Sequence, residues 1–285
     1  MATIYSTGPN NNSSAAADDG NISSGGSQGG TSWPAVRSSS GSGGLAVDDG
    51  IDGTGSTDVE KGAYAYVRAA SVGAGRGLRY HCVRSFFHFD TSSTSNCTAL
   101  TLDLMGFQGG AYSTGKLIVL DSDAFGHGDE NALSTGDWDG IPGWNGNGSS
   151  NMSGATEYST VFPPSGGTWT HSGQYNVITL NAAAVSAVNN QTHFIIALVD
   201  YAYDYQGNTP LAGGTGSALV ASNALDVALG GYHNDFGNAN RRPRLSLTIA
   251  APSGYGNIVN TVLATNIGKV NTVATADIEK INTVD

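Results

Sequence analysis

Short apolar segments, separated by turns rich in Gly, Asn and Ser, recur through the middle of this chain. In one of them Leu100, Leu102 and Leu104 fall on one side of an extended backbone, and residues 99, 101 and 103 fall on the other. This alternation is typical of a strand with one buried face, so we expect a packed sheet with a solvated outer side. The strand segments are AYAYVRAA (63–70), RYHCVRSFFHFD (79–90), ALTLDLMGF (99–107), KLIVLD (116–121), YNVITL (175–180), HFIIALVDYAYDY (193–205) and RLSLTIA (244–250).

Within that region only NAAAVSAVNN (181–190) has a helical pattern, and it would connect two strands. Many short strands with one short helix predict an all-β fold, a jelly roll or β-sandwich. The composition agrees, because 41 glycines supply turns and only 12% of the residues are charged.

The charge balance and hydropathy exclude two classes of partner. The net charge is −11 with only 12 Lys and Arg, whereas nucleic-acid binding needs a basic surface. No apolar window approaches the length of about 18 residues that spans a membrane, and the first residues do not resemble a signal peptide. We therefore expect a soluble protein, made in a cytoplasm, that binds neither nucleic acid nor membrane.

The first 62 residues are dominated by Gly, Ser, Asn, Asp and Ala. A segment of this composition buries too little apolar surface to form its own core. We expect an extended arm that is ordered by contact, either with its own domain or with a neighbouring subunit. The chain then divides into an N-terminal arm (1–62), a jelly-roll domain (63–250) and a docking tail (251–285).

An 11-residue repeat fills the docking tail, with Val-Asn-Thr-Val at 259–262 and 270–273 and Ile-Asn-Thr-Val at 281–284. As a helix, the repeat would align its apolar residues in one stripe. Its β-branched residues and Asn-Thr pairs equally allow short helical turns that alternate with extended segments. In either form we expect the tail to dock onto sister subunits or another protein, the alternative being that it folds back on its own domain. The apolar edge consists of Val259, Ile267, Val270, Ile278, Ile281 and Val284.

Six carboxylates and His127 lie close together between residues 120 and 140. Asp-x-Asp spacing offers Ca²⁺ two oxygen ligands from one loop, although the Gly and Glu positions of an EF-hand are missing. The segment is either a calcium site, with Asp121, Asp123 and Asp129 as ligands, or a solvated acidic loop with Asx-turns. No other cofactor is expected.

No constellation of residues predicts catalysis. The sequence has no His-Glu-x-x-His motif and no complete P-loop. Carboxylates in one loop do not fix the separation that glycoside hydrolysis requires. We expect a protein that is not an enzyme, a structural role for His88, and buried reduced thiols at Cys82 and Cys97, a disulfide being the alternative.

Aromatic residues offer a different kind of site. Tyr201, Tyr203 and Tyr205 recur at every second residue, so on a strand they would share one side. Sugar rings stack on such platforms while their hydroxyl groups bind nearby Asp and Asn. The alternative is that these rings seal the core or a subunit contact. The candidate glycan-binding residues are Trp138, Trp144, Trp169, Tyr201, Tyr203 and Tyr205.

Two resemblances suggest a biological setting. Taken in order, the segments 83–90, 100–104, 175–190, 194–201 and 242–248 resemble DNRLRE-type jelly-roll modules, which are built like carbohydrate-binding modules. The segments 267–273 and 278–284 resemble the I-x-K-V-N-x-V repeats that end structural proteins of tailed, marine-type bacteriophages.

These resemblances imply a virion structural protein, synthesised in the host cytoplasm. It would be a capsid decoration protein, head fibre or tail-fibre component, assembled as a homo-oligomer, most simply a trimer, with other virion proteins as partners. The alternative is a carbohydrate-binding adhesin that recognises glycans on the host surface. A polysaccharide-active enzyme is the third hypothesis.

Overall fold

The computed structural model describes thirteen parts of the chain, and every structural statement below concerns these parts. They are residues 1–6, 20–25, 31–38, 45–48, 62–71, 78–105, 115–127, 133–170, 174–210, 219–230, 243–250, 269–270 and 273–274.

The described chain is all-β, with few helices. Its strands are β1 (Ala2–Tyr5), β2 (Gly20–Gly25), β3 (Leu45–Asp48), β4 (Gly62–Ser71), β5 (Leu78–Asp90), β6 (Cys97–Met105), β7 (Leu117–Asp121), β8 (Tyr175–Thr179), β9 (His193–Asp200), β10 (Leu219–Gly230), β11 (Arg244–Ile249), β12 (Lys269–Val270) and β13 (Val273–Ala274). The α-helices are α1 (Trp33–Arg37) and α2 (Ala182–Asn190). Further helical turns span Phe125–His127, Thr135–Asp139 and Tyr201–Tyr205.

Two antiparallel sheets form the body of the described protein. The four-stranded sheet has the order β1-β11-β6-β8. The seven-stranded sheet runs β10-β4-β5-β2-β3, and β9 joins it through β5 while β7 pairs with β9. The long strand β5 pairs with β4 over residues 78–83, with β2 over 81–86 and with β9 over 85–90. Along β5, the residues that pair with β2 overlap those that pair with β4 and those that pair with β9. Because a strand has only two edges, β2 lies on one edge of β5, and β4 and β9 lie one after the other on the opposite edge.

The space between the two sheets is filled by the inner core. Leu100, Leu102 and Leu104 are buried there, as their alternation predicts. They pack in one cluster with Phe87 and Phe89 of the seven-stranded sheet. Helix α2 covers part of this core, and Asn181 caps it by accepting hydrogen bonds from the backbone N–H groups of residues 183 and 184. The prediction of a helix at 181–190 is confirmed.

In β2, β5, β7 and β9, the strands whose burial is described, the other face of the seven-stranded sheet is also buried, by the outer core. Its covering layer consists of α1 and of loop segments between residues 124 and 155, which contribute Phe125, Trp138 and Trp144. The expectation of a solvated outer side, which rests on residues 99–104 of the four-stranded sheet, therefore does not extend to these four strands. Burial on both faces explains why β9 is a continuous apolar run, with every residue from 194 to 200 buried.

The described parts of the N-terminal arm belong to both sheets. Strand β1 is an edge of the four-stranded sheet, and β2 pairs with β5 so that Ile22 enters the outer core. Helix α1 begins after Ser32, whose side chain accepts a hydrogen bond from the N–H of Ala35. Of the two expectations for the arm, contact with its own domain holds for these parts. Sequence analysis missed β1, β2, β3, β10 and α1.

In the docking tail, the structure describes two short antiparallel strands. Val270 of β12 faces Val273 of β13, with Asn271 and Thr272 between them. A continuous helix through these strands is therefore wrong. Val259, Ile267, Ile278, Ile281 and Val284 lie outside the described residues.

Candidate functional site

A polar cleft opens at one end of the seven-stranded sheet, with a volume of about 470 Å³. It lies where β7 ends and β9 begins. Because these strands are antiparallel neighbours, Asp121 at the end of β7 pairs with Ile196 near the start of β9. The lining residues are Asp121, Ser122, Asp123, Pro142, Asn190, Gln191, Thr192, His193 and Ile195.

Asp121 is held in the cleft wall by the inner core. The hydroxyl of Tyr158 donates a hydrogen bond of 2.9 Å to Asp121 Oδ1. Partial burial raises the pKa of the Asp121 carboxyl, although the hydrogen bonds from Tyr158 and Ser122 act in the opposite direction. This carboxylate is thus partly desolvated.

The turn after β7 is fixed against the loop that contains Gly140. Ser122 Oγ donates to the carbonyl of Gly140 at 2.6 Å and accepts from the N–H of Ala124 at 3.2 Å. The N–H of Asp123 binds the same carbonyl at 3.2 Å. These bonds hold the Asp123 backbone in one position at the rim of the cleft.

His193, which also lines the cleft, is paired with a buried histidine. His88 is fully buried on β5, and its Nε2 lies 2.9 Å from Nδ1 of the cleft residue His193. The rings of His88 and Phe125 also form a T-shaped pair, with centroids 6.4 Å apart. His88 therefore orients His193, which agrees with the structural role predicted for it.

The connection between α2 and β9 completes the wall. Thr91 holds it in two ways, since its Oγ1 donates to the carbonyl of Gln191 at 2.7 Å and its N–H donates to that of Thr192 at 2.9 Å. The side chains of Gln191 and Thr192 are exposed, while their backbone is fixed. The cleft thus presents polar side chains from a constrained main chain.

Away from the cleft, a buried ion cluster lies within the outer core. Arg37 of α1, Arg84 of β5 and Asp204 of the turn after β9 are all fully buried. Arg84 binds Asp204 with two bonds, from Nε to Oδ2 at 2.7 Å and from the terminal nitrogen to Oδ1 at 2.8 Å. Arg37 Nε binds Oδ1 at 3.2 Å, and another Arg37 nitrogen binds the Asp204 carbonyl. One carboxylate therefore joins two cations from distant parts of the chain.

The arginines of the ion cluster also bind the covering loops. Arg84 donates to the carbonyl of Trp138 at 2.6 Å, and Arg37 donates to the carbonyls of Gly148 and Ser150 at 2.5 and 2.9 Å. The Arg84 guanidinium lies 3.9 Å from the ring centroid of Trp138 and 4.3 Å from that of Trp144. The two indole rings thus shield a buried cation that the loops also bind.

The pKa values of two buried carboxyl groups, one in the ion cluster and one close to it in the sequence, are shifted in opposite directions. Burial by itself would raise the pKa of Asp204, but the charges and hydrogen bonds of Arg84 and Arg37 outweigh it and lower that pKa. No cation among the described residues lowers the pKa of Asp200, so burial and the charge of Asp204 raise it to about 7. Within the described chain, Asp200 Oδ2 has no hydrogen-bond partner.

The candidate glycan-binding aromatics lie mainly in the two cores. Trp138, Trp144 and Trp169 are at most 7% exposed, so they have no free ring face on which a sugar could stack. The expected strand 193–205 ends at Asp200, and Tyr201–Tyr205 form a turn of π-helix. The expectation that the three tyrosines share one side of a strand is therefore wrong: Tyr205 is buried, with Tyr201 stacked on it at 5.5 Å.

The calcium ligands predicted from the acidic segment are only partly described. Asp121 and Asp123 both line the polar cleft, whereas Asp129 lies outside the described residues. Among the residues that are described, no three His, Cys, Asp or Glu side chains are grouped closely enough to hold a metal ion. The covering loop is also not simply solvated, because Trp138 belongs to the outer core.

Both cysteines are free and buried, as expected. Cys82 belongs to the outer core and Cys97 to the inner core. Burial raises the pKa of the Cys82 thiol, and the charge of Asp204 acts in the same direction.

Sequence reasoning missed the ion cluster. A signal was present in the segment WPAVR, where Arg37 follows two apolar residues that a short helix would bury. Nothing in the local sequence links these three residues, since Arg37 lies 47 residues before Arg84 and Asp204 lies 120 residues after it.

Comparisons with known proteins assign no function to the polar cleft or the ion cluster. None of the helices in the described ranges is long and apolar enough to span a membrane. No protein-family model, no curated protein and no solved structure matches the chain.

Proposed function

We propose that this chain is a non-enzymatic structural protein of a tailed-phage virion, and that its two sheets form a jelly roll. Its place on the particle would be that of a capsid decoration protein, head fibre or tail-fibre component. The observation that carries the proposal is the terminal repeat, whose copies at 267–273 and 278–284 resemble those of phage structural proteins.

The described part of the tail supports an assembly role. Strands β12 and β13 are extended and pair only over two residues each. Short extended segments present backbone N–H and C=O groups to which another strand can add. In this proposal the apolar edge of the tail packs on sister subunits while its backbone extends their sheets, and the assembly is a homotrimer.

Deletion of residues 257–285 tests the docking role of the tail. We expect the truncated protein to keep the circular-dichroism spectrum and cooperative unfolding of the full chain, but to sediment as a monomer in analytical ultracentrifugation. A sharper variant replaces Ile267, Val270 and Ile281 by Asp. Its matched control places Asp at Thr265, Thr272 and Thr283, which adds the same charge at polar positions of the repeat.

The control should assemble like the full chain. A truncated protein that forms the same oligomer would refute docking by the tail. The virion assignment is tested separately, by mass spectrometry of purified particles from a culture that carries the gene. Absence of the chain from those particles would refute it.

A carbohydrate-binding adhesin is the second candidate. The polar cleft favours it, because carboxylate, amide and hydroxyl side chains converge there on a cavity of about 470 Å³. The proposed ligands are host-surface glycans. The tryptophans do not support this candidate, since they are buried.

A further inference from the structure

We propose that the polar cleft binds a neutral saccharide, with Asp121, Asp123 and His193 as its main hydrogen-bonding side chains. This inference deepens the adhesin candidate and rests on it, but it places the ligand away from the aromatic residues that the sequence suggested. The cleft volume of about 470 Å³ lies within the range of small-molecule sites, which is roughly 300–1,000 Å³.

The charge of the lining determines which ligands are excluded. Asp121 and Asp123 line the cleft, and its described lining includes no Lys or Arg. The two carboxylates repel phosphates, sulfates and uronic acids, which carry charge of the same sign, and this disfavours their binding. The ligand should therefore carry no negative charge.

The lining also combines donors with acceptors. The two carboxylates accept hydrogen bonds, whereas Asn190, Gln191 and Thr192 can both donate and accept them. Of the two ring nitrogens of His193, Nδ1 faces His88, so Nε2 is the one that a ligand can use. A sugar hydroxyl is likewise both donor and acceptor, and a hydroxylated ring can satisfy such a mixed set.

Pro142 and Ile195 supply the apolar part of the wall. A pyranose has apolar C–H faces as well as a rim of hydroxyl groups, and the two kinds of lining match these two kinds of surface. A bare metal ion matches less well, because no group of three suitable side chains occurs in the described part of the chain. It would also leave the apolar wall without a partner.

The cleft is constrained before a ligand binds. Ser122 is tied to Gly140, Thr91 holds the backbone of Gln191 and Thr192, and Tyr158 fixes Asp121. A site fixed in this way loses less conformational entropy on binding. Partial burial of Asp121 strengthens the hydrogen bond that a sugar hydroxyl would donate to it.

Saturation-transfer NMR on the full chain tests the proposal. The probes are the methyl glycosides of glucose, galactose, mannose and N-acetylglucosamine, with glucuronic acid as an anionic probe and CaCl₂ in a separate titration. The variants Asp123→Asn and Gln191→Ala change the lining of the cleft. Asp139→Asn is the matched control, because it removes a carboxylate from an exposed residue of the same loop that does not line the cleft.

We expect transfer to at least one neutral glycoside and none to glucuronic acid. Asp123→Asn should weaken binding about tenfold, which corresponds to about 1.4 kcal/mol, and Asp139→Asn should leave it unchanged. The proposal is refuted if no neutral glycoside binds, if binding is the same in both cleft variants, or if glucuronic acid binds equally well. It is also refuted if Ca²⁺ alone binds in a manner that depends on Asp123. A chain that assembles through its tail but binds no glycoside would refute this inference and leave the assembly proposal intact.

Discussion

At the scale of single residues, Asp204 compensates the charge of two buried cations. It is the carboxylate shared by Arg37 and Arg84, and all three side chains are fully buried. Replacing it by Asn leaves two buried cations without a counter-charge. Removal of one partner from a buried ion pair costs about 3–5 kcal/mol, so we expect the free energy of unfolding to fall by about that amount.

Urea denaturation followed by tryptophan fluorescence measures this change for Asp204→Asn. The control, Asp139→Asn, neutralises an exposed carboxylate and should hardly move the midpoint. A similar midpoint for both variants would show that the ion cluster contributes little to stability.

The buried carboxyl of Asp200 predicts that the stability of the protein depends on pH. Burial raises the pKa of its carboxyl from 3.8 to about 7, so the folded protein holds a proton that the unfolded chain releases near pH 4. Stability should therefore decrease as pH rises from about 4 to 7, by up to about 4 kcal/mol. In Asp200→Asn this component should vanish. Urea midpoints across that pH range measure it, and an unchanged slope in the variant would contradict the assignment.

At the scale of elements, the contact between α1 and the covering loop is unusually close. A Cβ atom at Gly148 would overlap the carbonyl oxygen of Pro34, and the Gly148 carbonyl accepts a hydrogen bond from Arg37. Gly148→Ala should push α1 away from the loop and cost about 1–3 kcal/mol, as overpacking does in other cores. Gly136→Ala is the control, since its nearest neighbour, Ser134 Oγ, would be 3.4 Å away.

Thermal unfolding and hydrogen exchange of the 31–38 amides measure the effect. The expected result for Gly148→Ala is a lower melting temperature together with faster exchange in α1. Equal melting temperatures for the two variants would mean that the helix is not held by this contact.

The elements that the sequence could predict are those whose own pattern specifies them. Strand β6 alternates because one face meets the inner core, and α2 begins at a recognisable capping residue, Asn181. Strand β2 reads GNISSG and has a single large apolar side chain, Ile22. Its position depends on β5, a partner about 60 residues away, so no local pattern could reveal it. The cleft could not be predicted from the sequence for the same reason, since the α2–β9 connection meets the end of β7 only in the folded sheet.

At the scale of the whole molecule, the seven-stranded sheet belongs to both cores. Strand β9 supplies Ile196 and Leu198 to the inner core and Ile195 and Ala197 to the outer one. We therefore expect the two cores to unfold together. Cys97 reports on the inner core and Cys82 on the outer core, so thiol labelling in single-cysteine variants can test this.

In subdenaturing urea, Cys82 in the Cys97→Ala variant and Cys97 in the Cys82→Ala variant should be labelled with the same urea dependence, because both require global unfolding. Labelling of the unfolded chain gives the reference rate for each thiol. Much earlier labelling of one thiol would show that its core opens independently.

The ion cluster also has a consequence for the alignment of the N-terminal arm. Apart from Ile22, strand β2 consists of Gly, Ser and Asn residues, so few large side chains fix its alignment along β5. Arg37 adds a second constraint, because a shift that separated it from Asp204 would leave a buried cation without its counter-charge. One arginine thus acts as a registration mark for an arm that has few large side chains of its own.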